Sequence, residues 1–273
     1  MGGWPLYRRN AKHNVKHNLK RNVKRNIKRK RTMASIANPI DYPAGDGETT
    51  CKGVYYTPEN LTGPLPVVLI CHAWDGLLKE VHDKAQALAD EGYIAFAIDV
   101  YGNGHTEDDF SRLEETLGPY MANRALLLAR MRAAVAAAKT IPGADTDRMG
   151  AMGYCFGGTA VLDLARGGGE DIKGVVSFHG GLAGNDLDNP QTISARVLVL
   201  HGDADPLVPP EQVAAFKQEM TEKQADWQLH AYGNTVHAFT RPAANNPDFG
   251  AVYNAAADRR SWQSMLNFFA EIF

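Results

Sequence analysis

The sequence predicts an α/β domain, a doubly wound and mostly parallel sheet with helices on both faces. Three observations point there. Short, apolar, β-branched runs alternate with amphipathic stretches of helical period from residue 67 onward. One such run, Arg148-Met149-Gly150-Ala151-Met152, leads straight into Gly153-Tyr154-Cys155-Phe156-Gly157-Gly158 and then into a helix-forming segment, the strand, tight turn and helix of a nucleophile elbow. Polar residues gather in the loops that follow predicted strand ends, where open α/β sheets carry their chemistry.

Each element has its own signal. Residues 67–71 (Val-Val-Leu-Ile-Cys) form an apolar run without polar interruption, as a strand covered on both faces requires. Residues 78–91 read as a helix, 94–100 as a second buried strand and 124–139 as an alanine-rich helix of high intrinsic propensity. The strand at 148–152 precedes the elbow, and the helix that follows it runs through 159–165. Strands at 173–178, 195–201 and 227–232 complete the sheet, with a helix at 211–224 between the last two. From Met33 onward the chain has 241 residues, a size that suits one domain.

The first 32 residues differ from the rest. Asn10, Asn14, Asn18, Asn22 and Asn26 recur every four residues, each followed two places later by a lysine from Lys12 to Lys28. Of the 29 basic residues, 12 lie in this segment and no acidic ones do, so the remainder carries 17 basic against 31 acidic residues, a formal charge of −14. A basic tail of this kind suits nucleic acid or an acidic membrane surface. Its apolar stripe (Ala11, Val15, Leu19, Val23, Ile27) is one residue wide, a weak seam for a helix. Met33-Ala34-Ser35 resembles a natural start, so residues 1–32 are expected to be an extension outside the fold, and 33–273 the domain. The acidic remainder argues against nucleic acid as a partner.

Three cysteines without paired spacing give neither a disulfide framework nor a zinc signature. No apolar run approaches the roughly 20 residues of a membrane span, and none follows the basic terminus as a secretory signal would require. A cytoplasmic, reduced location without membrane attachment is expected. No metal or organic cofactor is implied, because His13 and His17 have helical ligand spacing but no carboxylate partner. Oligomeric state is not legible.

Cys155 is the residue to weigh. A free cysteine is ordinarily a small buried filler, and Cys71, ending an apolar strand, fits that description. In the Gly-x-Cys-x-Gly-Gly turn the same residue type is a nucleophile held clear of the sheet, with Gly153 and Gly157 at positions too crowded for a Cβ. The helix behind it aims its first amides, including that of Phe156, at the space above the sulfur, favouring thiolate and oxyanion alike. His237 follows the last predicted strand by a short loop and suits the base. Asp203 and Asp205 both lie in the loop after the 195–201 strand, and Asp205 is preferred on the spacing Gly202-x-x-Asp205-x-x-Val208-Pro209. His201 and His230, which end or occupy strands, are expected to be structural. The order Cys, Asp, His along the chain is that of a hydrolase triad in which the cysteine attacks an acyl carbon, the histidine moves the proton and the aspartate orients the histidine.

These motifs, with Asp99-Val100-Tyr101-Gly102 and Val236-His237-Ala238-Phe239-x-Arg241, resemble the dienelactone hydrolase (carboxymethylenebutenolidase-like) family of the α/β-hydrolase fold over about residues 41–273. The resemblance implies a carboxylic ester or lactone hydrolase working through a thioacyl-enzyme, with Cys155, Asp205 and His237 as triad and the amides of Ala73 and Phe156 as oxyanion hole. It also implies Arg241 as a substrate-carboxylate ligand. Two departures stand out. His72 occupies the place of the family glutamate that holds the thiol, and Gly102-Asn103-Gly104 replaces a second carboxylate-binding arginine. Losing that arginine removes a charge-assisted bond of about 1.5–3 kcal/mol, which opens the site to neutral esters. His72, Trp74, Tyr101, His179, Phe239 and Arg241 are the expected substrate-binding residues. Competing readings are a promiscuous aryl ester and organophosphate triesterase with the same triad, a non-catalytic ligand-binding protein of the same fold, and a redox protein using Cys155 alone.

Overall fold

A computed structural model describes residues 35–169 and 171–273. The strands are β1 (Ser35–Pro43), β2 (Thr50–Pro58), β3 (Leu65–Cys71), β4 (Ile94–Ile98), β5 (Ala144–Tyr154), β6 (Gly174–Phe178), β7 (Arg196–Gly202), β8 (Trp227–Tyr232) and the short pair β9 (Asn245–Asn246) and β10 (Ala251–Val252). The helices are α1 (Lys79–Asp90), α2 (Leu113–Ala122), α3 (Arg124–Ala138), α4 (Phe156–Arg166), α5 (Pro210–Glu222) and α6 (Ala255–Ile272), with a 3-10 turn at Phe110–Arg112. The basic extension at 1–32, its Asn/Lys repeat, its histidines and the boundary expected at 32/33 lie outside the described residues.

Eight strands form one sheet in the order β1-β2-β4-β3-β5-β6-β7-β8. From β4 through β8 the pairing is parallel, and β1 and β2 add an antiparallel edge. Side-chain alternation divides the central strands between two cores. Val67, Leu69 and Cys71 of β3 join Leu127, Met131 and Phe216 on one face; Val68 and Ile70 join Leu88, Met265 and Phe269 on the other. Helices therefore cover both faces, as uninterrupted apolar strands demand.

The predicted strands and helices form close to their expected bounds, with two adjustments. β5 is longer than 148–152 because it pairs with β3 on both sides of an irregularity at Pro66/Val67. β4 ends at Ile98, since Asp99 turns the chain by accepting the Gly102 and Gly104 amides at 2.8 and 2.9 Å. Besides the short β9 and β10 and the 3-10 turn, four elements had no prediction. β1 contains Pro39 and Pro43, which read against a strand, yet β1 is the sheet edge, where a missing N–H is tolerated. β2 contains Gly53, at which a Cβ would meet the Phe96 ring at 2.6 Å. α2 forms despite Gly118 and Pro119. α6 is capped by Asn254, whose side chain accepts the amides of Ala256 and Ala257.

The topology sets the functional end. The strand β3 has β4 on one side and β5 on the other, so the chain direction of winding reverses between β3 and β5, and a crevice opens at their carboxyl ends. Register places Cys71 opposite Gly153. Two residues further along each chain stand Ala73 and Cys155.

Candidate active site

Cys155 holds φ 54° and ψ −115° between β5 and α4, a conformation that costs a non-glycine residue about 1–3 kcal/mol. The surroundings enforce it. The Cys155 amide donates to Phe178 O at 3.0 Å. A Cβ on Gly153 would overlap the carbonyl of Gly157, and one on Gly157 would overlap the Cys71 and His72 carbonyls. The two glycines therefore let the turn close against itself and against β3. Gly157→Ala is expected to destabilise the fold by about 1–3 kcal/mol, because the obstacle is backbone and cannot swing aside; a urea midpoint equal to that of the parent would contradict this.

His237 lies beyond β8 and is fixed from both sides: its amide donates to Gly250 O at 2.9 Å and its carbonyl accepts from Val252 N at 3.1 Å. Its Nδ1 bonds Asp205 Oδ2 at 2.8 Å. Asp205 Oδ1 accepts the Leu207 amide at 2.9 Å, which locks the carboxylate. Asp205 is 3 % exposed, whereas Asp203 is exposed, and of the two it is Asp205, the one preferred on spacing, that bonds His237. Among the described residues His237 Nε2 is buried without a hydrogen-bond partner, and Cys155 is near enough to act on the ring's charge. Burial works against charge on this ring, but Cys155 and Asp205 together outweigh it and raise its pKa to about 10.

A cavity of about 900 Å³ opens over this pair and is lined by Cys155, His237 and Ala73, within the range of small-molecule sites. Of the expected substrate-binding residues, Trp74, His179 and Arg241 are on its wall. The ring of His179 meets that of His237 edge-on with centroids 5.1 Å apart, and its Nε2 bonds Thr240 Oγ1 at 2.8 Å. Burial first, and His237 second, hold the His179 pKa well below the usual histidine value, so it stands beside the charged ring as a neutral one.

The other three do not line the cavity. His72 is fully buried; its Nδ1 donates to Ala73 O at 2.6 Å and its Nε2 accepts the Val100 amide at 3.2 Å. Both nitrogens are thus engaged, and burial lowers its pKa, so it is a neutral strut that ties the β3 loop to the end of β4 and not a partner of the thiol. Tyr101 donates its hydroxyl to Trp74 O at 2.7 Å and stacks on Phe156, centroids 5.7 Å apart; it supports the loop from behind. Phe239 is fully buried between Tyr232 and His179. Phe156 faces inward with its side chain, leaving only its first-turn amide for the site.

Arg241 is on the wall but not free. Its Nη1 donates to Asp75 Oδ2 at 2.5 Å and its Nε lies 3.3 Å from Glu80 Oε2. The rest of the wall mixes polar Asp83, Lys84, Thr240, Asn245 and Asn246 with a larger apolar and aromatic share, in which Phe110, Leu113, Leu117 and Phe249 come from segments where no element was predicted and Tyr154 comes from the elbow itself. The Phe110 ring meets Trp74 and Phe249 edge-on, centroids 5.5 and 5.1 Å apart. Cys71 lies in the core as expected; Cys51 is buried in β2, and burial raises both thiols, Cys51 to about 11. His201 is buried away from the cavity wall, and His230 Nδ1 bonds Ser264 Oγ at 3.3 Å. Among the described residues no group of three or more His, Cys, Asp or Glu is placed to hold a metal ion, and no helix is long and apolar enough to cross a membrane.

Known proteins share this fold and much of this sequence. The crystal structure of a dienelactone hydrolase-like promiscuous phosphotriesterase, P91 from metagenomic libraries, superposes with a TM-score of 0.83 at 37 % identity, covering 88 % of this chain and 99 % of that one. An uncharacterized protein of Caenorhabditis elegans is 38 % identical over 148 residues, 53 % of this chain and 92 % of that protein. A protein of Escherichia coli (strain K12) named "Putative carboxymethylenebutenolidase" is 29 % identical over 224 residues, 78 % of this chain and 80 % of its own length. Residues 51–273 match the model of the dienelactone hydrolase family, and the chain belongs to that family, a lactone and ester hydrolase of the α/β-hydrolase superfamily.

Proposed function

We propose that the protein hydrolyses carboxylic esters or lactones through a thioacyl-enzyme on Cys155, with His237 as proton carrier and Asp205 as its orienting partner. The observation that carries the reading is His237 itself, bonded to Asp205 on one side, raised to about 10 with Cys155 near enough to act on its charge, and with its other nitrogen buried without a hydrogen-bond partner among the described residues. In the first step Sγ attacks the acyl carbon, and the carbonyl electron pair moves onto oxygen, within reach of the Ala73 and Phe156 amides. Collapse of this oxyanion breaks the bond to the leaving oxygen, which takes the proton from His237 Nε2. In the second step neutral His237 removes a proton from water, the resulting hydroxide attacks the thioester, and the sulfur leaves as thiolate while His237 is again protonated.

Rapid mixing with 4-nitrophenyl acetate is the direct test. A burst of nitrophenol, with a mass gain of one acetyl group mapped to Cys155, is the expected result; turnover without acyl-Cys155 in acid-quenched samples would overturn the covalent route.

A second reading has its own support. The relative at 37 % identity is named as a promiscuous phosphotriesterase, and a thiol beneath two amide donors also suits a neutral phosphoryl centre. Slow release of nitrophenol from a neutral aryl phosphotriester, abolished in Cys155→Ala, is expected; release that survives the substitution would assign it elsewhere.

A further inference from the structure

The cations on the cavity wall are Lys84, Arg241 and the His237 ring, and each is already paired with a carboxylate, His237 with Asp205. Lys84 pairs with Asp258 at 3.2 Å and lies over the rings of Tyr154 and Trp262. Asp83, also on the wall, is paired with the exposed Lys79 outside it at 2.7 Å. Arg241 has two carboxylates, Asp75 and Glu80, so this group of three carries one surplus negative charge. The side chain of Asp75 is only 6 % exposed, and it cannot turn to water without leaving its place beneath the guanidinium. A substrate carboxylate reaching for Arg241 would make a third anion around one cation in a partly desolvated wall, where like charges are weakly screened.

A substrate cation meets the opposite conditions. Glu80 is 40 % exposed in its side chain and borders the cavity, as do the faces and edges of Trp74, Phe110 and Phe249. A surplus carboxylate beside a group of aromatic rings is a setting in which ammonium groups are held. We propose that Asp75, Glu80 and Arg241 act as a charge filter that admits neutral and cationic esters and turns away those bearing a carboxylate. The filter rests on the ester hydrolase reading for its substrates, and it reverses the role that family resemblance assigns to Arg241.

The test uses the full chain and three 4-nitrophenyl esters of similar length: the monoester of glutaric acid (anionic), its methyl ester (neutral) and 4-trimethylammoniobutanoate (cationic). In the parent protein, kcat/KM for the anionic ester is expected about tenfold or more below that of the neutral one, and the cationic ester equal to or above it. Added salt should narrow the gap. Glu80→Gln, at a half-exposed position, is expected to raise the anionic-to-neutral ratio severalfold, and Asp75→Asn/Glu80→Gln further. An anionic ester turned over as well as the neutral one by the parent, or a ratio unmoved by Glu80→Gln, would overturn the filter. Binding of the uncleaved esters to Cys155→Ala reads the same charge order without catalysis. Should the parent cleave no ester, the hydrolase reading falls while this binding order still decides the filter: anion weakest upholds it, and equal affinities or no binding refute it.

Discussion

Cys155→Ala is expected to lower kcat on 4-nitrophenyl butyrate by at least about 10⁴-fold, equivalent to roughly 5 kcal/mol of lost transition-state stabilisation. No neighbour can substitute for the sulfur. Cys51 and Cys71 are buried in the sheet, and His237, left facing a methyl group, has no bound acyl group to relay protons for. The residual rate would come from the oxyanion donors and from binding alone. The fold should survive, because alanine accepts the positive φ at the elbow no worse than cysteine and the bond from the residue 155 amide to Phe178 O persists. Thermal melting beside initial rates separates the two effects. A parent-like rate in the folded variant would show that ester cleavage does not run through this elbow.

Asp205→Asn is expected to cost about 10³- to 10⁴-fold in kcat and to move the pH profile. Asparagine keeps the shape but can present an N–H to His237 Nδ1, selecting the wrong tautomer, and it removes the negative charge behind the ring. Acyl transfer needs a protonated His237 to deliver its proton to the leaving oxygen. In the parent this proton is held until the pH rises through about 10, which places the alkaline limb of kcat/KM there. Burial is the largest influence on the ring and acts to lower its pKa, with Cys155 and Asp205 acting to raise it. Removing the Asp205 charge therefore lowers the ring's pKa, and the alkaline limb shifts to lower pH. A limb that stays in place would mean that a group other than His237 governs it.

The charge relations around Arg241 illustrate how a family motif and its use can part. The residue stands four places after His237 as in the family pattern, yet in this fold Asp75 holds it from 166 residues away. An arginine that meets a substrate carboxylate needs open donors aimed into the cavity. Here two of its nitrogens are engaged by Asp75 and Glu80.

Much of the fold was legible because its signals are local. A strand buried on both faces must be apolar throughout, and β3, β4, β6 and β7 could be read on that ground alone. A turn that brings Gly157 against the carbonyls of Cys71 and His72 must lack a Cβ, so the elbow was visible in a six-residue string. The missing elements were those whose stability comes from elsewhere: β1 accepts its prolines because it is an edge, and α2 overrides Gly118 and Pro119 through tertiary context.

The sequence by itself determined the parallel sheet, the elbow around Cys155 and the chain order of cysteine, acid and histidine, since each is fixed by contiguous backbone and side-chain period. The spacing favoured Asp205 over Asp203, but only the tertiary structure decided that His72 spends both nitrogens on backbone groups, that Tyr101 and Phe239 stand behind the cavity, and that Arg241 is neutralised. Those outcomes depend on which side chains share a buried space and which donors are already taken, and burial and hydrogen-bond saturation are properties of the packed molecule, not of any segment of its chain.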